Sequence, residues 1–171
     1  MKTLETIVYL YRAIICILAD TGCSLSEIGK ILVKDIDVRS CVINFEGNNV
    51  RFKARKIHIP KKSMDVIVKY MKSIKIIDKP DSNLFNKKSS SRTIQKKIND
   101  LANELNLSSL KSRSFRDTFV LRKISEGMKL DDLVVLMGST DTQRASRYIV
   151  YYEENINKIS GDSGHFLDSY E

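Results

Sequence analysis

The amino-acid sequence predicts a mainly α-helical domain carrying a small three-stranded antiparallel β-sheet, and three observations carry that prediction. Apolar residues recur at helical spacing through most of the 171 residues. One stretch, residues 41–59, instead alternates and is rich in β-branched side chains. Glycines and a capping-type serine punctuate the runs where helices are expected to stop and start. With 42% hydrophobic and 29% charged residues, the chain has the composition of one folded unit with a sizeable core.

Taken in order, Leu4 to Ala19 is apolar nearly all round the helical wheel, so a helix packed on several sides is expected. Arg12 interrupts it, and residues 6–18 fall short of the roughly 20 apolar residues of a membrane span. This is therefore read as a core helix, not as a membrane segment. Thr21-Gly22 ends it, Gly22 supplying the left-handed backbone of a helix stop. Ser24-Leu25-Ser26-Glu27 has the form of a capping box and predicts a short helix through Leu32.

Cys41–Phe45, Val50–Phe52 and Ile57–Ile59 are the three expected strands. The turn cluster Glu46–Asn49 and the basic reversal Lys53–Lys56 join them, and Pro60 stops the last. An amphipathic helix over Lys61–Ile77 follows, then a loop, Asp78–Ser91, holding one apolar pin at Leu84-Phe85, then a helix over residues 92–105. The stretch 111–152 reads as a helix carrying Arg113 and Arg116, a break at Gly127, a short helix ending in Met137-Gly138-Ser139, and a helix bearing Tyr148. Beyond Asn157 the periodicity weakens around Gly161-Asp162-Ser163-Gly164, which predicts a frayed or extended tail and divides the chain into residues 1–157 and 158–171.

Twenty-nine Lys and Arg against 21 Asp and Glu leave a net charge of +8, which draws polyanions and makes nucleic acid the leading partner. The three cysteines form no C-x-x-C pair and have only two histidines to join them, so reduced thiols in a cytoplasmic protein are expected, with no metal site. No glycine-rich phosphate loop of Walker or Rossmann type is present.

Several ordered features resemble the catalytic domain of tyrosine recombinases, the phage integrases. Thr21-Gly22-Cys23-Ser24-Leu25-Ser26-Glu27-Ile28 is similar to that family's first box, T-G-L-R-x-S-E-L, and Asp35-Ile36-Asp37 to the acidic motif after it. A three-strand insert with a basic turn follows. Arg113-Ser114-Phe115-Arg116 stands at the H-x-x-R box, Met137-Gly138-Ser139 at the L-G-H turn, and Tyr148 lies nine residues beyond Ser139, at the position of the nucleophile.

The resemblance implies duplex DNA as partner and strand cleavage and rejoining through a 3′-phosphotyrosine, without metal or cofactor. Such chemistry needs an in-line oxygen nucleophile, a positive cradle for charge building on the phosphate, and a proton donor for the leaving oxygen. Tyr148 would be the nucleophile, Arg116 a cradle arginine, Glu27 an orienting acid, and Lys53 the general acid, with Arg55 or Lys56 as alternatives because the turn is short. Arg55, Lys56, Lys111 and Arg144 are expected to contact DNA. The segment after the nucleophilic helix often docks on a neighbouring protomer in that family; Phe166-Leu167 is the candidate here, against a plain mobile terminus.

Three positions depart from the pattern. Arg113 replaces a histidine, and a guanidinium, which keeps its proton in proteins, cannot shuttle one. Ser139 replaces His or Trp and retains one hydroxyl. Ser24 replaces the first catalytic arginine, and losing one preorganised donor costs on the order of 3 kcal/mol, or roughly a hundredfold in rate. An active but weakened recombinase and an inactive DNA-binding or architectural relative are both consistent with the sequence.

Overall fold

A computed structural model of the chain describes residues 4–47, 53–85, 90–107, 110–139 and 142–166, with side chains as far as Asn155. Helix α1 (Leu4–Thr21) is the central element, packed against α3 (Lys61–Ser73) and α5 (Ser112–Ser125). Its Leu10, Ala13, Ile14, Ile17 and Leu18 are buried, which follows from apolar residues lying nearly all round it. They form one core with Met64, Ile67, Tyr70 and Met71 of α3, Ile94 and Ile98 of α4 (Ser91–Glu104), and the loop residues Leu84 and Phe85. A second, smaller core joins Phe119 and Val120 of α5, Leu133 of α6 (Leu130–Leu136), Met137 after it, and Ala145 of α7 (Thr142–Phe166). The helical elements around Arg113, Gly127, Gly138 and Tyr148 thus follow the expected order.

The sheet is antiparallel in the order β1 (Ile36–Asp37), β2 (Val42–Phe45), β3 (Arg55–His58). Ile36 pairs with Ile43, and Phe45 with Arg55. Three strands were expected, but their membership differs. β1 is the Ile36-Asp37 pair, too short for an alternation signal; the strand expected at 50–52 lies outside the described residues; and β3 begins at Arg55, not Ile57. Arg55 and Lys56 are therefore strand residues, not turn residues: Arg55 and Ile57 face inward, Lys56 and His58 outward.

Other boundaries also move. The helix expected through Leu32 closes after one turn, α2 (Leu25–Ile28), because the amides of Gly29, Lys30 and Ile31 close tight turns that bury Ile28 and Ile31 together, after which Leu32 bridges Asn83. Helix α3 stops at Ser73, short of Ile77, since Lys75 has a φ of 57°. The tail expected to fray beyond Asn157 is helical to Phe166. A helix already nucleated extends one residue at a time without a new nucleus, so weak periodicity and two glycines do not stop it. Among the described residues no helix is long and apolar enough to cross a membrane.

Cys16, Cys23 and Cys41 are free thiols, and burial pushes that of Cys23 up to about 12, so it is inert as a nucleophile.

The loop pin is a structural joint. Leu84 is fully buried, and its amide donates to the Ile31 carbonyl at 2.8 Å, tying the loop before α4 to the turn after α2. Leu84→Ala is expected to lower unfolding stability by about 2–5 kcal/mol in urea titration, whereas Val135→Ala, at an exposed helical position, stays within about 0.5 kcal/mol.

Candidate functional site

Two helix ends shape the site. At the end of α1, the Thr21 hydroxyl donates to the Ile17 carbonyl at 2.6 Å and accepts the Cys23 amide at 3.2 Å, while Gly22 takes a φ of 59°. A Cβ on Gly22 would run into the Phe119 ring. At the end of α6, Gly138 takes a φ of 60°; its amide donates to Val135 at 2.9 Å and that of Ser139 to Val134 at 3.1 Å, a Schellman closure. Between these ends lies Arg116, delivered by α5. Its Nη1 donates to the Gly22 carbonyl and its Nη2 to the Met137 carbonyl, both at 3.1 Å. A guanidinium fits there because carbonyls at helix C-termini carry partial negative charge.

The capping box at the start of α2 forms as expected. Ser24 Oγ accepts the Glu27 amide at 3.3 Å, and Glu27 Oε2 accepts both the Ser24 amide and its hydroxyl at 2.8 Å. The carboxylate has a second task. Its Oε1 accepts a hydrogen bond from Arg55 Nη1 at 2.6 Å, with side chains only 2% and 8% exposed, and Oε2 lies 4.0 Å from Arg116 Nη1. Burial pushes the Glu27 carboxyl up, but Arg55, through hydrogen bond and charge, and Ser24 outweigh it and hold the pKa below the ordinary value. Burial likewise lowers Arg116, opposed by Glu27, and an arginine so placed remains charged at neutral pH.

Arg55 corrects one expectation. It does not face solvent as a DNA contact: it is buried, with its guanidinium 4.6 Å above the Phe45 ring. A Cβ at position 138 would stand 2.5 Å from Arg55 Nη1, so Gly138 both closes α6 and makes room for Arg55.

Cys23, Ser24, Leu25, Ser112, Arg113, Arg116, Arg144 and Tyr148 line a cavity of about 310 Å³. A second cavity of about 630 Å³ shares Arg113, Arg144 and Tyr148 and adds Asp117, Leu121, Arg147 and Tyr151. The structure thus brings Ser24, Arg113, Arg116, Arg144 and Tyr148 to one surface, with Glu27 directly beneath. Other candidates lie off it. Lys53 is exposed, and its amide donates to the Gly138 carbonyl at 3.0 Å, so its backbone is tied to the α6 turn. Lys56 lines a separate hollow beside Lys34 and Phe45, Lys111 is exposed at the start of α5, and Ser139 is buried.

Asp117 is a site residue that the sequence analysis did not single out. Its Oδ1 accepts the Tyr148 hydroxyl at 2.5 Å and lies 3.7 Å from Arg113 Nε. The i,i+4 spacing to Arg113 is legible in sequence. The contact with Tyr148, 31 residues away, is not. Burial and then Asp117, as hydrogen-bond acceptor and as charge, raise the Tyr148 pKa, against lowering by Arg113 and Arg116.

The phenol therefore rests protonated, and its share of folding stability is complete below about pH 10 and lost as pH rises through the raised value. Asp117→Asn is expected to shift the Tyr148 titration downward while leaving it above the ordinary value, because burial remains; ultraviolet difference titration against Tyr148→Phe reads this, and an unmoved midpoint would contradict the contact. Glu27→Gln leaves a buried guanidinium without its counterion and is expected to cost about 3–5 kcal/mol in denaturant unfolding.

The fold is one already seen in solved structures. XerA recombinase aligns with a TM-score of 0.71 at 17% identity, over 91% of this chain and 64% of that one. XerH recombinase bound to a palindromic difH substrate, a post-cleavage complex, aligns at 0.74 with 15% identity, over 94% and 47%. The Tn1549 transposon integrase in complex with circular intermediate DNA aligns at 0.65 with 24% identity, over 82% and 54%. The chain spans about half to two thirds of these proteins. No curated protein matches it. Residues 1–155 match the sequence model of the Phage integrase family, and the chain, with its tyrosine recombinase catalytic-domain fold, belongs to that family.

Proposed function

We propose that the chain binds duplex DNA with one phosphodiester seated over Arg116, and that Tyr148 can attack it slowly to give a 3′-phosphotyrosine link. The observation that carries this reading is that Arg116 and Tyr148, far apart in sequence, open on the same cationic cavity. In this reading Arg116, Arg113 and Arg144 hold phosphate oxygens, which position the duplex without reading its bases. Lys56 and Lys111 lie farther out, where they add charge to the surface that DNA approaches. Lys53, tethered next to the α6 turn, is the proposed proton donor to the departing 5′ oxygen. Family membership and the DNA complexes of XerH and Tn1549 integrase support the DNA partner.

Two features slow the chemistry. Ser24 brings no charge to the cavity, and its hydroxyl is engaged with Glu27. Arg113, in place of histidine, donates to phosphate but takes no proton. These same features, with the Tyr148 hydroxyl held by Asp117, favour a second reading in which the protein binds DNA and never cuts it.

A nicked suicide duplex separates the readings. Covalent adduct that disappears in Tyr148→Phe is the expected result; salt-dependent binding with no adduct establishes the second reading, and absence of salt-dependent binding removes both. Ser24→Arg is expected to raise adduct yield, on the order of a hundredfold if the rest of the cradle is sound. Arg116→Ala and Arg113→Ala are each expected to flatten the dependence of log affinity on log salt by about 0.9, one phosphate contact apiece, as measured by fluorescence anisotropy between 50 and about 200 mM salt.

A further inference from the structure

The cradle has lost an arginine at position 24, yet the carboxylate beneath it is held by a different one. Arg55 enters from β3, 28 residues from Glu27 in sequence, and takes Glu27 Oε1 at 2.6 Å, while Arg116 approaches the other oxygen only to 4.0 Å. Both short hydrogen bonds from the Arg116 guanidinium go to backbone carbonyls, which carry no formal charge. The buried group is thus two guanidiniums around one carboxylate, with a net charge of +1. Delete Arg55 and the remainder is one guanidinium beside one carboxylate, net zero, directly under the cavity.

We propose that Arg55 is a positioning residue for the phosphate site: by occupying the Glu27 carboxylate it leaves the charge of Arg116 available to a phosphodiester, restoring from β3 the positive charge absent at Ser24. The inference rests on the DNA-binding reading above. Three features of the packing fit this task. Arg55 is sealed from solvent and cannot touch DNA itself. Its place is built, with the Phe45 ring on one face and the Cβ-less Gly138 against Nη1. Its Nε and Nη2 have no partner among the described residues, so its placement is not that of a fully satisfied structural arginine. Arg55 and Arg116 repel one another across Glu27, which also keeps Arg116 on the cavity side of the carboxylate.

The test compares the parent with Arg55→Met, Arg55→Met/Glu27→Gln and Arg116→Ala. Each is titrated against a fluorescent duplex at several salt concentrations from pH 5 to 8, with circular dichroism to verify folding. Arg55→Met is expected to weaken binding roughly tenfold and to flatten the salt dependence by about 0.9, like Arg116→Ala, because Glu27 now neutralises Arg116. Removing both charges in Arg55→Met/Glu27→Gln is expected to recover most of that loss. Arg55→Met alone should also lose less affinity toward the acid end of the range than at pH 8, because without the Arg55 hydrogen bond and charge burial pushes the Glu27 carboxyl up, while the double variant shows no such trend.

A purely structural Arg55 predicts neither the rescue nor the pH profile. A folded Arg55→Met that binds like the parent, or a folded double variant as weak as Arg116→Ala, overturns the proposal; the second comparison decides even where Arg55→Met does not fold. A parent whose binding is indifferent to salt or to Arg116→Ala overturns the DNA reading itself, and with it this inference.

Discussion

One buried carboxylate organises the site. Glu27 closes the first turn of α2, holds Arg55 of β3 and faces Arg116 of α5, so three segments distant in sequence are registered against two oxygen atoms. An ion pair so enclosed adds little net stability, because desolvating both charges offsets most of their attraction. What it supplies is position. A guanidinium that strays loses its counterion in an apolar interior, and the penalty for that is far larger than the gain from the pair.

Arg116 is constrained twice over, by Glu27 at its inner side and by two helix-terminal carbonyls along its edge. Both carbonyls belong to turns that require a positive φ, at Gly22 and Gly138, and each glycine also admits a neighbouring side chain, Phe119 in one case and Arg55 in the other. The two roles are inseparable at these positions. A side chain would strain the backbone and displace a group that the site depends on, so the turns serve the cationic cavity as much as they end helices.

Much of the fold was legible because its signals are local. The capping box at Ser24, the stops at Gly22 and Gly138, the apolar pin at Leu84-Phe85 and the helix bearing Tyr148 each follow from residues within one or two turns. β1 was not legible, since two residues cannot show alternation, and the extension of α7 past Gly161 was hidden because propagation along an existing helix overrides weak propensity. At the site, Arg116 and Tyr148 could be picked out because their positions resemble the family's H-x-x-R box and the tyrosine nine residues past its L-G-H turn. Arg55 was misread as a turn cation because charge in a sequence is ordinarily solvated, and only the tertiary fold discloses a buried carboxylate waiting for it. Asp117 escaped for the related reason that its partner, Tyr148, lies on another helix.

Ser24 shows how an uncharged residue at the edge of a cationic cavity can sit in a well-formed structure. A serine at a helix N-cap accepts the backbone amide of the third residue and is worth about 1 kcal/mol over a residue that cannot, whereas an arginine there has no oxygen to offer. Its hydroxyl also donates to Glu27 Oε2, so the carboxylate is satisfied without a cation at 24. Serine thus closes the helix start without bringing a charge to the cavity, and its hydroxyl shares the Glu27 carboxylate with Arg55, each on its own oxygen. The serine cap and the buried strand arginine are mutually compatible parts of one arrangement: the cation that meets Glu27 comes from β3 and lies on the floor beneath the cavity, sealed from solvent, while the uncharged Ser24 lines its rim.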